Sequence, residues 1–474
     1  MNEERDNFRG ENFSEAVKRF KSSLRSGRAT YFDVSEFEGI VEQLMEEGDL
    51  KSSEIAAKQG IQIHPNAIPL QLKYAQILIN QGKYNKAHEY LDVIEKIESR
   101  NPDIYLARGT AWLITGRDYE ATVAFKKALK FSDNEKDDIL HHIGTTYARI
   151  GELPRAIYYW EKAYKENPKS DHVIYDLAFF LDQLGDTEQS IDYYNRFLDI
   201  DTFNYMAWFN LGTVYNKLNN TEKAIEAFEY SLAIKDDFHV ALFNIGNSLA
   251  NDERFEEAIE KYQEFLDAEP ESEDAHCYVA ECYLNLEDYE KADGFYRKAL
   301  ELNENSDTAW FGLGLLKWID KKLLESVSFI TKATDLDADN AEYWLTLGKV
   351  NNDATLHMHA AKALKQAARL DANHTEVWLL WSETMAKIGE LQTAIRILKI
   401  AVEKNEDSKL KYQLVAFLHQ NKKRKEAHEW LRSAMLQDFG NINYLFDIYP
   451  KAVTSKQLRK VIDDFRHNGN NSLR

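Results

Sequence analysis

A small residue recurs every 34 positions along most of this chain, and a sequence tied to that period cannot be a set of unrelated domains. From Ala224 the step lands on Ala258, Ala292, Ser326, Ala360 and Ala394, and backwards on Ser190 and Ala156. One residue gained near 136 and one lost near 407 carry the ladder to Ala121, Ala87, Ser53 and Ala427, so twelve sites in twelve are alanine or serine. A second ladder runs from Gly212 to Gly246, Ala280, Gly314 and Gly348, and back to Ala178 and Gly144. Such a repeat is one supersecondary unit that buries its apolar face only by stacking on its neighbours, so the 474 residues do not divide by an average domain size.

The best-patterned unit contains "MAWFNLGTVY", residues 206–215, and predicts two amphipathic helices joined by a turn at "NNT", 219–221. Trp208, Leu211, Gly212 and Tyr215 share one face of the first helix, helix A, and Ala224, Phe228 and Ser231 share one face of the second, helix B. A glycine inside a helix costs roughly 1 kcal/mol relative to alanine, so Gly212 needs a packing reason. Its pairing with Ala224 supplies one: two small residues let the helix backbones approach while Trp208, Tyr215 and Phe228 fill the space around them. Pro65, Pro168 and Pro270 fall at one phase near the end of helix B, where proline closes a helix.

The pattern WxxLGxxY followed by A, F and A resembles the tetratricopeptide repeat, and the resemblance extends over residues 34–441. It implies an all-α fold, a right-handed α-solenoid (superhelix) of about twelve helix-turn-helix repeats starting near 34, 68, 102, 137, 171, 205, 239, 273, 307, 341, 375 and 408. Val41, Lys411 and Val415 depart from the pattern in the first and last repeats, as terminal units with one neighbour do. Residues 1–33 are expected to cap the first repeat, with "NFSEAVKRFKSSLRSG" as a lone helix B carrying Ala16, Phe20 and Ser23. Residues 442–474 should form C-terminal capping helices, a short one stopped before Pro450 and an amphipathic one begun by Ser455, with a disordered tail. As a whole the chain is similar to the long cytoplasmic tetratricopeptide proteins of Bacteroidetes-type bacteria, most of all in "YFDVSEFEGIVEQLMEEGDL". That similarity implies a bacterial protein with no activity beyond protein interaction.

Composition narrows the function further. With 79 acidic against 59 basic residues the net charge is −20, which repels nucleic acid and anionic membranes from the average surface. No run of 18 apolar residues occurs, and "MNEERDNFRGENFSEAVKRF" has no apolar core of a secretory signal, so a cytoplasmic location is expected. Cys277 and Cys282 do not form a CxxC pair and are expected to be reduced packing residues. No phosphate-binding GxxxxGK[ST] loop or GxSxG elbow is present, and the glycines of "GLGLL", 312–316, belong to a helix A. Little sequence falls outside the repeat register, so neither an enzyme nor catalytic residues are expected. His141 with His142, and His357 with His359, diverge around a helix instead of meeting at the i,i+4 spacing of a metal pair; they are expected at the surface or in a groove, with no metal and no cofactor. The basic run "NKKRKEA", 421–427, falls at a turn between helices A and B.

In the tetratricopeptide family helix A lines the concave side, so its residues off the packing face are the candidates for partner contact. These are Tyr175, Asp176 and Phe179 in repeat 5, Phe209, Asn210 and Thr213 in repeat 6, and Phe243, Asn244 and Asn247 in repeat 7. Aromatic rings fill one phase, and Asp176, Asn210 and Asn244 the next. Asparagine offers a donor and an acceptor together, which suits the backbone of an extended peptide. The phase at which chaperone-binding relatives hold a peptide carboxylate with lysine carries Tyr175, Phe209, Phe243 and Cys277, so a carboxylate clamp is not supported. Phe311, Leu315 and Trp318 form an apolar stripe that either continues this surface or packs on the next repeat. The expected function is a non-enzymatic scaffold or adaptor holding an extended peptide or helix of a partner protein. The competing expectations are self-assembly, as a homodimer through an end cap or the groove, motivated by the amphipathic segment around Leu458 to Phe465, and a regulatory arm of a separately encoded enzyme.

Overall fold

The computed structural model describes residues 15–26, 30–132 and 135–471, and every regular element among them is helical. Contacts divide the chain between Asp236 and Asp237 into two compact units, each built from six helix pairs. In the first unit the pairs run from Val34–Glu46 with Leu50–Ile63 to Tyr205–Lys217 with Thr221–Ile234. In the second they run from Val240–Asn251 with Phe255–Ala268 to Ser408–Gln420 with Arg424–Gln437. We number the pairs 1 to 12 and call the two helices of each A and B.

The turn between A and B is the same in all twelve pairs. One residue in each adopts positive φ, at steps of 34 except for 35 to Gly151 and 33 to Lys422. The next residue donates its N–H five positions back, as Asn220 does to Tyr215 O at 3.0 Å and Lys83 to Leu78 O at 2.8 Å. This is the Schellman closure, which satisfies a carbonyl that the end of helix A leaves open. Glycine holds the left-handed position in pairs 1 to 5 and 11, whereas Asn219, Glu253, Glu287, Lys321, Thr355 and Lys422 hold it in the others. "NKKRKEA" supplies the last of these turns.

Packing between A and B explains the small-residue ladder. All twelve alanines and serines from Ser53 to Ala427 are 0% exposed. The backbones come close enough there for Ser190 Oγ to donate to Ala178 O, and Ser326 Oγ to Gly314 O, each at 2.7 Å. The sequence pairs Gly212 with Ala224, but what lies directly over the glycine is a ring: a Cβ at Gly212 would stand 2.7 Å from Phe228. The same seat recurs sixteen residues apart for Gly109 and Phe125, Gly144 and Trp160, Gly246 and Tyr262, Gly314 and Ile330, and Gly348 and Leu364. Where Ala280 interrupts the ladder, Tyr296 presses on Gly312 of the following pair, which accounts for the additional glycine of "GLGLL".

Each repeat completes its core with its neighbour. Phe197 and Leu198 of helix B in pair 5 pack with Ala207, Leu211 and Val214 of helix A in pair 6. Trp208 is only partly buried, its ring 4.6 Å from Tyr230 and its Nε1 donating to Thr202 O. Consecutive A helices touch within each unit, for instance in pairs 2 and 3 and in pairs 8 and 9.

At the N-terminal end, residues 15–26 are helical and bury Ala16, Val17 and Phe20 against Phe32, Phe37 and Ile40. The rest of the expected N-terminal helix, residues 12–14 and 27, and the last three tail residues lie outside the described residues. At the other end, helices Ile442–Ile448, Lys451–Thr454 and Lys456–Asn471 bury Leu445, Ala452, Leu458, Val461 and Ile462 in the core of the last pairs.

The ring seat and the turn each yield a prediction. Gly212→Val should lower stability by about 1–3 kcal/mol through overpacking. Gly294→Ala, on an exposed stretch of helix B in pair 8 with open space around it, should raise stability by up to about 1 kcal/mol. Thr355, a β-branched residue at φ 61°, is costlier in the left-handed region than any other turn residue here. Thr355→Gly should therefore stabilise the chain by roughly 0.5–1 kcal/mol. Denaturant unfolding of the full chain with each substitution measures all three.

Candidate functional site

In the first unit, the six candidate residues all sit half-buried on the A helices Asp171–Gln183 and Tyr205–Lys217. Tyr175 lies 5.2 Å from the ring of Phe197, and its hydroxyl accepts from Asn210 Nδ2 at 2.9 Å. Asp176 Oδ2 pairs with His141 Nε2 on helix A of pair 4 at 2.7 Å. Phe179 stands edge-on to Phe180, Phe209 lies 5.4 Å from Phe228, and Thr213 Oγ1 donates to Phe209 O. Asp176 and Asn210 thus occupy equivalent positions and act alike. Each bonds the preceding A helix, so the polar ladder seen in sequence also ties successive repeats together.

Histidines gather beside it. The rings of His141 and His172 are 4.5 Å apart, and Trp160 Nε1 donates to His141 O. His142 is half-buried, with Thr110 Oγ1 3.4 Å from its Nε2. Burial first, then the neighbouring His141 and Arg149, push its pKa down to about 4.

The second unit holds the remaining candidates on helix Val240–Asn251. Phe243 lies within 5.3–5.6 Å of the rings of Phe265, Tyr278 and Tyr262. Asn244 Nδ2 donates to Val240 O in its own helix, and Asn247 Oδ1 accepts from Tyr262 Oη at 2.7 Å. Asn247 also lines a cavity of about 560 Å³ with Asn251, Asn285, Tyr262, Tyr278 and Glu281. The Glu281 carboxyl opens to this cavity, and the surrounding protein, with Glu342 adding to it, raises its pKa above the usual range. Tyr278, Glu281 and Asn285 were reachable from sequence, since they lie 34 residues beyond Asn244, Asn247 and Asn251.

The apolar stripe of pair 9 is packed against pair 10: Phe311 stacks on Tyr343 at 4.4 Å, and Trp318 Nε1 donates to Asp353 Oδ2 at 2.8 Å. Cys277 and Cys282 are buried free thiols whose pKa burial pushes up to about 12, so neither is a reactive thiolate. No group of three or more His, Cys, Asp or Glu side chains able to hold a metal occurs among the described residues. No helix among them is long and apolar enough to cross a membrane.

Comparison with known proteins agrees with this geometry. Tetratricopeptide-repeat family models match residues 44–109, 172–204 and 193–226, and the model of the C-terminal domain of cilia and flagella-associated protein 70 matches 244–443. The chain is a tetratricopeptide-repeat protein, and proteins of this kind are generally scaffolds for protein–protein interaction. No curated protein matches it. Among solved structures, a tetratricopeptide repeat protein from Parabacteroides merdae is 18% identical with a TM-score of 0.46, covering 52% of this chain and 98% of its own. The C-terminal part of a repeat protein from Cytophaga hutchinsonii is 18% identical with a TM-score of 0.44, covering 51% and 99%. Yeast Tom70 is 16% identical with a TM-score of 0.41, covering 83% and 96%.

The half-buried His142 makes a prediction about acid stability. Its folded pKa of about 4 lies below the ordinary 6.5, so between these values the unfolded chain binds more protons, and stability falls as the pH drops through that window. His142→Gln should abolish a loss on the order of 2–3 kcal/mol between pH 6.5 and pH 4, measured by unfolding across that range.

Proposed function

We propose that this chain is a non-enzymatic scaffold or adaptor that holds an extended peptide or a helix of a partner protein on its A-helix faces. The observation that carries this reading is the cavity of pairs 7 and 8, where the amides of Asn247, Asn251 and Asn285 stand beside the rings of Tyr262 and Tyr278. Amides offer a peptide backbone both donors and acceptors, and rings add contact area at low entropic cost. Within the first unit, Tyr175, Asp176, Phe179, Phe209, Asn210 and Thr213 form the corresponding surface, although Asp176 and Asn210 already hold neighbours in place. The net charge of −20 favours a protein partner over nucleic acid or an anionic membrane. Two free cysteines support a reducing, cytoplasmic setting, which cell fractionation tests.

Self-assembly through the Leu458–Phe465 segment has less support. Leu458, Val461 and Ile462 are already buried in their own unit, and Phe465 stacks on Phe439 at 5.7 Å.

Affinity capture from source lysate on the immobilised full chain tests the proposal, with Asn210→Ala/Asn244→Ala and Asn251→Ala/Asn285→Ala compared with the parent. The proteins retained by the parent should fall about tenfold on at least one double variant, with melting little changed for Asn251→Ala/Asn285→Ala, whose side chains are exposed, since lost polar contacts of this kind amount to about 1.4 kcal/mol or more of binding. Equal capture by all three at equal stability would rule the A-helix surface out.

A further inference from the structure

A second pocket, of about 720 Å³, lies away from the amide-lined cavity, between helix B of pair 10, His357–Leu370, and helix B of pair 11, Leu391–Lys404. Its wall is made by the indoles of Trp344, Trp378 and Trp381. Trp378 is 4% exposed, and its Nε1 is spent on Ala372 O. Trp344 likewise donates to Ala338 O, so these two indoles are fixed by the turns that precede their helices. Trp381, half-buried and 5.7 Å from Trp378, makes no hydrogen bond from its indole among the described residues. Ile400, 48% exposed, adds apolar surface from the opposite side.

The rim has one sign of charge. Lys362, Lys365 and Arg369 stand exposed along helix B of pair 10, whose fourteen residues contain no carboxylate, and Lys404 faces them from pair 11. None of the four is ion-paired among the described residues. Several nearby cations of this acidic chain are paired, Lys349 with Glu376, Lys387 with Glu383 and Lys399 with Glu426, whereas the rim brings four together without a carboxylate partner. An unpaired cationic rim around an aromatic pocket is complementary to an apolar side chain flanked by carboxylates.

We propose that this pocket is a second docking site, separate from the amide-lined cavity of pairs 7 and 8, that takes an acidic peptide segment of a partner protein with one aromatic or large apolar side chain inserted between the tryptophans. Tryptophan walls and basic rims also suit single-stranded nucleic acid. The chain's net charge of −20 opposes a long polyanion far more than a short acidic segment, and so favours the peptide.

The test uses the full chain and a fluorescein-labelled synthetic peptide with a central phenylalanine flanked on both sides by aspartates and glutamates. Controls are the same peptide with glycine for phenylalanine, its lysine counterpart, and labelled oligothymidylate, all read by fluorescence anisotropy. Saturable binding of the acidic phenylalanine peptide is expected, weakened by salt and reduced at least roughly tenfold by Lys365→Glu/Arg369→Glu. That double variant alters only exposed side chains, and unchanged melting shows that it is folded; Trp381→Ala should reduce binding comparably. The proposal is overturned if the acidic peptide does not saturate, if the glycine or lysine peptide binds equally well, if the charge reversal leaves binding intact, or if oligothymidylate binds more tightly. Dimerisation of the parent that is lost on charge reversal would place a second copy in the pocket, and would also overturn it.

Discussion

Everything else in this molecule depends on how closely helix A approaches helix B within a pair. The twelve fully buried alanines and serines set that distance, and serine hydroxyls reach carbonyls of the facing helix across it. At such a separation several large side chains on helix B sit directly over a glycine of helix A, as Phe228 lies on Gly212 and Trp160 on Gly144. The helical penalty of each such glycine is offset by a large side chain removed from water, an aromatic ring over Gly109, Gly144, Gly212 and Gly246 and an aliphatic one over Gly314 and Gly348. The turn follows from the same geometry, since three residues that reverse the chain this tightly need a left-handed position and a Schellman closure.

Close packing also determines which side chains remain for a partner. Residues on one phase of helix A meet the preceding A helix as well as solvent, and Asp176 bonds His141 just as Asn210 bonds Tyr175. The polar ladder serves the stack before it serves any ligand. The cavity beside Asn251, Asn285 and Glu281 is the part of this face where amide, ring and carboxylate surround open space.

Much of the fold is legible in the sequence because its determinants are local and periodic. Alanine or serine at one phase, glycine at another and proline after helix B are one-residue signals repeated many times, and they lead to an all-α repeat. Individual side chains are less legible. Spacing matches Gly212 with Ala224, and only the packed structure shows Phe228 over it. Phe311 and Trp318 suit a surface and the next repeat equally well by spacing, and their contacts with Tyr343 and Asp353 settle the matter. His142 shares a segment with His141 but not its surroundings, because a step of about 100° around the helix separates a ring that pairs with Asp176 from one that faces Thr110 of the preceding A helix.

By itself the sequence determined the helical repeat, its period and the small residues that permit close packing, since these depend on spacing along one chain. The tertiary structure decided which groups meet across repeats: the histidine–aspartate and tyrosine–asparagine bonds, the amide cavity, and the tryptophan pocket with its unpaired cations. These arise between side chains that come from different helices. A period records that neighbouring units stack, but the rotamers and the small offset of each repeat settle what faces what.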